Sequence, residues 1–337
     1  NVLGGGAVDP HSAGKTLHED DSMRLWTLDD EVVIASIKTK VHAIGPGVIE
    51  GLAKGIALAE AQYKGLVIWS SDDPFSYGAD LQAMLPTFMK GGAKAIAPEE
   101  KKLQDAMLAI RYATVPTVAA VRGMALGGGC ELAIHCAKRV VAMEAYFGLV
   151  EVGVGLIPGG GGLTYIARRA AEMAAAGGAN ADLFHFIREG FTAAAMAKVG
   201  TSALESRKLG YVLDDDIVVP HKDELLFVAI AQAKAMVDTG WRAPARKLFP
   251  VAGRSGASTI KGQLVNMRDG GFISAHDFHI ASLIADVICG GDVDGGSLVN
   301  EEYLMALERK HFCALLEHPK TQERIMGMMQ TGKPVRN

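Results

Sequence analysis

Residues Pro116–Glu131 read PTVAAVRGMALGGGCE. An apolar, β-branched run leads through Gly123 to three consecutive glycines, Gly127 to Gly129, at the entrance of a short apolar segment, Cys130–Cys136. Val115–Val121 has the length and composition of a buried strand. The glycines mark a junction where a strand gives way to a helix and main-chain amides come to the surface. Glycine tolerates positive φ and lets a ligand approach the backbone, and the amides of a first helical turn point outward at the positive end of its dipole. Such a junction suits an anion or a developing oxyanion. Taken alone, the triplet equally suits a tight, well-packed turn.

Working outward, the chain alternates. Val32–Ile37, Leu66–Trp69, Val115–Val121 and Arg139–Ala142 are short apolar runs with strand character, and Val48–Tyr63 and the segment opened by Pro98 carry apolar residues at helical spacing. Strands alternating with helices imply an α/β fold with a mainly parallel sheet and right-handed crossovers. Beyond Gly162 the texture becomes Ala-rich to about Ala197, followed by helical patterns at Ser202–Leu209, Lys222–Asp238, Thr259–Met267, His276–Cys289 and Asn300–His318, and a polar tail, Gly332–Asn337. The expected organisation is a linker from a preceding domain over residues 1–30, a main domain over 31–240 and a helical C-terminal region over 241–337. The opening NVLGGG, which starts at Asn1 rather than Met, reads as the interior of a longer protein.

Composition narrows the function. With 38 Asp and Glu against 34 Lys and Arg, the net charge of −4 offers no electrostatic footprint for nucleic acid or an anionic membrane. No stretch approaches the roughly 18 apolar residues of a membrane span, and there is no signal-peptide pattern. Four cysteines without CxxC spacing point to a reducing compartment, with the cytoplasm as the expected location.

A second donor loop follows the strand Leu66–Trp69, at Phe75–Leu81 (FSYGADL). Ligands bind at the carboxyl ends of strands in open α/β sheets, so loops after two successive strands can aim two N–H groups at one oxygen. The plain alternative is that Gly78 only permits a tight turn. Two glutamates then stand in apolar surroundings, Glu131 in CELAIHC and Glu151 in LVEVGVGLIP. Glutamate is rarely buried without a partner, and desolvation raises a carboxyl pKa toward the range useful for acid–base work. A buried hydrogen-bonding role or a helix cap is the alternative for each.

Over residues 30–240 the chain resembles the crotonase (enoyl-CoA hydratase/isomerase) superfamily. VRGMALGGGCELAIHC and FGLVEVGVGLIPGGGG match its two signature blocks, with Glu131 and Glu151 twenty residues apart, and FSYGADL matches its first oxyanion loop. The resemblance implies a spiral of ββα units with a helical C-terminal extension. It also implies an oxyanion hole made by the amides of Ala79 and Gly128, and Glu131 and Glu151 as the pair that holds and activates a water. Family members that only isomerise a double bond often lack a glutamate at the position of Glu131. The expected reaction is therefore hydration of a trans-2-enoyl-CoA to a 3-hydroxyacyl-CoA in fatty-acid β-oxidation. The alternatives are a Δ3-Δ2-enoyl-CoA isomerase and a non-catalytic acyl-CoA-binding or assembly module. No cofactor is expected, since coenzyme A enters as the substrate thioester.

Glu308–Asn337 resembles the terminus of fused 3-hydroxyacyl-CoA dehydrogenase/enoyl-CoA hydratase proteins, and NVLGGG their interdomain region, implying a covalently linked dehydrogenase domain as partner. No GxGxxG sits between a strand and a helix, so no nicotinamide site is expected here. Where many relatives carry Gly-Gly-Thr-Gln-Arg-Leu, this chain has Gly161-Gly162-Leu163-Thr164-Tyr165. Homo-oligomerisation is left open.

Other motifs have plainer readings. His276-x-x-His279 lacks a third ligand at a recognisable spacing, so no metal is expected. Pro158–Gly162 has the composition of a phosphate cradle without the Lys-Ser/Thr of a P-loop, and reads as a helix entry. Cys130 has no histidine placed to activate it. Arg242, Arg246, Lys247, Arg254 and Lys261 read as a solvated surface.

Overall fold

The near-continuous Val, Ile and Ala runs become strands buried on both faces, as a parallel sheet covered by helices requires. The computed structural model describes residues 13–178 and 181–337. In chain order it contains β1 (Lys15–Glu19), β2 (Met23–Thr27), β3 (Val32–Ile37), α1 (Pro46–Gln62), β4 (Gly65–Trp69) and α2 (Leu81–Tyr112). These are followed by β5 (Thr117–Val121), β6 (Met124–Leu126), α3 (Gly128–His135), β7 (Lys138–Ala142) and β8 (Tyr146–Gly148). Next come α4 (Gly162–Ala176), α5 (Leu183–Ala195), α6 (Ala203–Lys208), β9 (Ile217–Val219) and α7 (Leu225–Asp238). The C-terminal helices are α8 (Gly253–Asp269), α9 (Ala275–Ile288), α10 (Glu301–Leu316) and α11 (Pro319–Thr331).

The chain forms two compact units that are interleaved in sequence. The first comprises the residues up to Asp80 with Asp105–Gly148 and Gly200–Ala245, and the second comprises Leu81–Gln104, Leu149–Val199 and Arg246–Asn337.

In the first unit a seven-stranded sheet runs β1-β2-β3-β4-β5-β7-β9, antiparallel from β1 to β3 and parallel beyond. Because side chains alternate along a strand, Ile34, Val67, Val118 and Val140 face one way and bury against Leu225, Ala229 and Ala233 of α7. On the α1 side, Gly51 and Gly55 lie close against the side chains of Met23 and Leu25. A second layer of short pairings repeats beside this sheet: Ile44 with Ala79, Ser76 with Ala125, β6 with β8, and Phe147 with Gly200. A main-sheet strand, a short second-layer segment and a helix thus recur, which is the expected spiral of ββα units. Arg139 Nε donates to Asp216 at 2.5 Å, and that carboxylate also accepts the amides of Arg139 and Leu213. A charge pair this buried is retained because its lone pairs are satisfied, and it ties β7 to the approach of β9.

Residues 1–30 are not all linker. β1 and β2 lie within them, and β2 is buried throughout. The strand was hidden in the sequence because Arg24 interrupts its apolar pattern. The folded chain satisfies that guanidinium with Thr16 Oγ1 and the Ala13 carbonyl and lays it 4.8 Å from the ring centre of Trp26. The NVLGGG segment lies outside the described residues.

The second unit is mostly helical, and buried Ile260, Leu264, Ile280, Ile284, Leu304 and Phe312 supply apolar faces for α8, α9 and α10. Ser274 and Asp277 form a capping box on α9, and Asn300 caps α10. No side chain of the residue preceding α4 caps it. Glu308, fully buried on α10, does so instead, accepting from the amides of Gly161 and Thr164 at 2.8 and 2.6 Å and from the Thr164 hydroxyl at 2.7 Å. Pro158–Gly162 is thus a helix entry, as its sequence implied, and the anion at that helix terminus is the protein's own carboxylate. Among the described residues no helix is long and apolar enough to cross a membrane.

Candidate active site

The donor loop after β4 is shaped by its pairing with Ile44. Ile44 N donates to Gly78 O at 2.7 Å and Asp80 N to Ile44 O at 3.1 Å. These bonds use the groups on either side of Ala79, so the Ala79 N–H projects from the opposite edge. The loop is braced from within: buried Ser76 donates from its hydroxyl to His42 O and accepts from Gly78 N. Its main chain pairs with Met124 and Leu126.

Along that opposite edge runs the start of α3. Gly78 has φ +89°, and a Cβ there would stand 2.5 Å from Gly128 N; a Cβ on Gly128 would stand 3.3 Å from Ala79 N. A Cβ on Gly129 would meet Ser76 O at 2.3 Å. Glycine is needed because two backbone segments touch. Gly127 N donates to Gly148 O at 2.8 Å, while Gly128 N, as a first-turn amide, has no intrahelical acceptor. Among the described residues neither Ala79 N nor Gly128 N donates to a backbone carbonyl. The structure therefore brings the two sequence-predicted donors side by side, and Ala79 is exposed.

Glu131 lies on the same element as Gly128. It lies in the first turn of α3, three residues after Gly128, and is 2% exposed. Positions three apart share a helix face, and the positive end of the dipole favours a carboxylate there. All of α3 is buried; its last residue, His135, places Nδ1 2.7 Å from the Glu131 carbonyl oxygen.

Glu151 belongs to the second unit. It opens a single 3-10 turn, Glu151–Val154, and both of its carboxylate oxygens are shielded from solvent. Arg324 and Thr321 of α11 bond to this turn through the carbonyls of Val152 and Gly155. The sequence reading missed both residues, since a polar side chain on the last helix carries no mark of a partner some 170 positions earlier.

The ring of His276 stacks on those of His279 and His318, with 4.4 Å between the centres of His276 and His318. No group of three His, Cys, Asp or Glu side chains suited to a metal occurs among the described residues. The four cysteines are free, and burial pushes the Cys136 and Cys289 thiols up to about 12. In the basic cluster, Arg246 pairs with Glu302, Arg254 with Asp292 and Asp294, and Lys261 with Asp286. A cavity of about 730 Å³ opens in the first unit beyond β5, β7 and β9, lined among others by Tyr77, Arg122, Tyr146, His221 and Lys222.

A family model described as enoyl-CoA hydratase/isomerase matches residues 32–181. A probable 3-hydroxyacyl-CoA dehydrogenase of Bacillus subtilis is 38% identical over 318 residues, covering 93% of this chain and 39% of that protein. A putative fatty acid oxidation complex trifunctional enzyme of Rickettsia felis is 36% identical over 146 residues, covering 43% of this chain and 20% of that protein. The chain thus spans well under half the length of these relatives. The crystal structure of an enoyl-CoA hydratase from Bacillus halodurans shares the fold, with a TM-score of 0.60 at 16% identity over 91% of this chain and 99% of that one.

Proposed function

We propose, for a chain that belongs through residues 32–181 to the enoyl-CoA hydratase/isomerase (crotonase) family, that its reaction is the addition of water to a trans-2-enoyl-CoA to give a 3-hydroxyacyl-CoA. The observation that carries the reading is the adjacency of the Ala79 and Gly128 amides, with Glu131 one turn along from the second of them.

Attack of water on the β-carbon of an unsaturated thioester drives negative charge onto the carbonyl oxygen. Two fixed N–H donors stabilise that charge, each lowering the barrier by roughly 3 kcal/mol. They are main-chain groups held by the Ile44 pairing and by the start of α3, so no reorganisation is needed as charge develops. The water loses a proton and the α-carbon gains one, which two carboxyl groups can manage. In this reading Glu131 positions and deprotonates the water and Glu151 delivers the α-proton. Only two residues separate Glu151 from Gly148, whose carbonyl accepts the Gly127 amide. Coenzyme A is the substrate's handle, with no resident cofactor, and a 3-hydroxyacyl-CoA dehydrogenase domain in the same polypeptide would consume the product.

The presence of both glutamates favours hydration over isomerisation. The test is turnover of a graded series of trans-2-enoyl-CoA thioesters by the 337-residue chain, with the Glu131→Gln and Glu151→Gln variants beside it. Hydration that falls about a hundredfold or more in each variant supports the reading. Conversion of a 3-enoyl-CoA that stops at the conjugated product would assign an isomerase, and tight thioester binding without turnover a binding module.

A further inference from the structure

We propose that Thr321 and Arg324, on α11, are positioning residues that hold the turn carrying Glu151; their catalytic consequence rests on the reading of Glu151 given above. A single 3-10 turn has too few internal hydrogen bonds to fix a side chain by itself. The Glu151–Val154 turn is closed locally by Gly155 N and Leu156 N, which return to the carbonyls of Val152 and Glu151 at 3.0 Å each. α11 then grips it at two points. Arg324 Nη1 donates to Val152 O at 3.0 Å, and the Thr321 hydroxyl donates to Gly155 O at 2.7 Å.

Both gripping groups are themselves immobilised. Arg324 is 2% exposed, with Nη2 2.8 Å from Asp277 Oδ1 and Nε donating to Asn337 Oδ1 at 2.9 Å, so its fork presents Nη1 in one direction. Thr321 is fully buried, and its hydroxyl lies 3.0 Å from His276 Nε2, which fixes the rotor that serves Gly155. The fit is close: Gly155 has φ +82°, and a Cβ there would stand 2.8 Å from Thr321 Cα. A reacting carboxylate displaced by about 1 Å forfeits on the order of a hundredfold in rate, so a turn this short needs an external brace if Glu151 is to react.

The experiment compares the whole chain with Thr321→Val, Thr321→Ser and Arg324→Lys by two readouts. The first is backbone hydrogen exchange over residues 151–156. Thr321→Val, which removes the hydroxyl, and Arg324→Lys, which keeps the charge beside Asp277 but loses the fork, should accelerate it, while residues 123–135 stay as protected as in the parent and Thr321→Ser restores the segment. The second is crotonyl-CoA hydration. Thr321→Val should lower kcat roughly ten- to a hundredfold with butyryl-CoA affinity unchanged, because Thr321 is proposed to hold only the Glu151 turn and not the thioester. Unchanged exchange over 151–156 in both Thr321→Val and Arg324→Lys overturns the brace, and loosening that leaves kcat at the parent value overturns its catalytic consequence. A parent chain that hydrates no enoyl thioester, with variants that still loosen 151–156, sinks the reading of Glu151 and leaves the brace standing.

Discussion

At Gly128 and Glu131 a single backbone atom or carboxyl group decides the outcome. A Cβ on Gly128 meets Ala79 N at 3.3 Å and Gly78 Cα at 3.3 Å, close but not prohibitive contacts at a residue whose φ is not left-handed. Gly128→Ala should therefore fold, with a thermal midpoint near the parent's, while kcat/KM for enoyl-thioester hydration falls at least roughly tenfold as the donor pair is crowded. Gly129→Ala is different in kind, since its Cβ would lie 2.3 Å from Ser76 O, and it should lower the yield of folded protein rather than the turnover of each molecule. His276 gives a pH dependence. Burial, with a smaller contribution from Arg324, pushes its imidazole down to about 4, so the folded protein keeps it neutral while the unfolded chain protonates it near 6.5. The unfolded state then binds more protons between those values. Stability should rise as pH increases from about 4 to about 6.5 and level off above, the His276 share being on the order of 2 kcal/mol. Denaturant titrations of the parent and His276→Gln across that range test it. The variant's slope should be shallower but not flat, because His279 and His311 are lowered by burial in the same direction.

At the scale of elements, the helix entry at α4 is the most exposed to disruption. Glu308 satisfies three donors there from a fully buried site, and Glu308→Gln would turn an amide NH2 toward N–H groups that need an acceptor. A loss of about 2–3 kcal/mol by urea unfolding is expected; a loss within 0.5 kcal/mol would show that the carboxylate is not the cap described. What the sequence makes legible follows the same physics. β3, β4, β5 and β7 stand out because strands buried on both faces need unbroken Val, Ile and Ala runs. β6 and β8, three residues each, give no periodicity, and β2 is masked by Arg24. In the candidate site, the glycines at 78 and 127–129 and the carboxylate of Glu131 stand out as local signs, and the choice of the Ala79 and Gly128 amides rests on the resemblance of the two motif blocks. The Thr321 and Arg324 contacts to the Glu151 turn could not be placed, because tertiary pairing across the sequence leaves no local pattern.

At the scale of the molecule, the chain passes between its two compact units five times, after residues 80, 104, 148, 199 and 245. Neither unit is a continuous stretch that could close its core before the other supplies the connecting segments. Unfolding should accordingly be one transition. The three tryptophans, Trp26, Trp69 and Trp241, all belong to the first unit, so their fluorescence reports on that unit while far-UV circular dichroism reports on the helices of both. Coincident urea midpoints are expected, and separated midpoints would show that the units melt independently. The chemistry proposed for the whole depends on one oxygen being gripped by the two amides of the first unit. Infrared difference spectroscopy of a bound enoyl-CoA carrying a 13C label at the thioester carbonyl reads that grip directly. The carbonyl band should move to lower frequency on binding and shift back toward its solution value in Gly128→Ala; a band at the solution frequency in the parent protein would contradict the account.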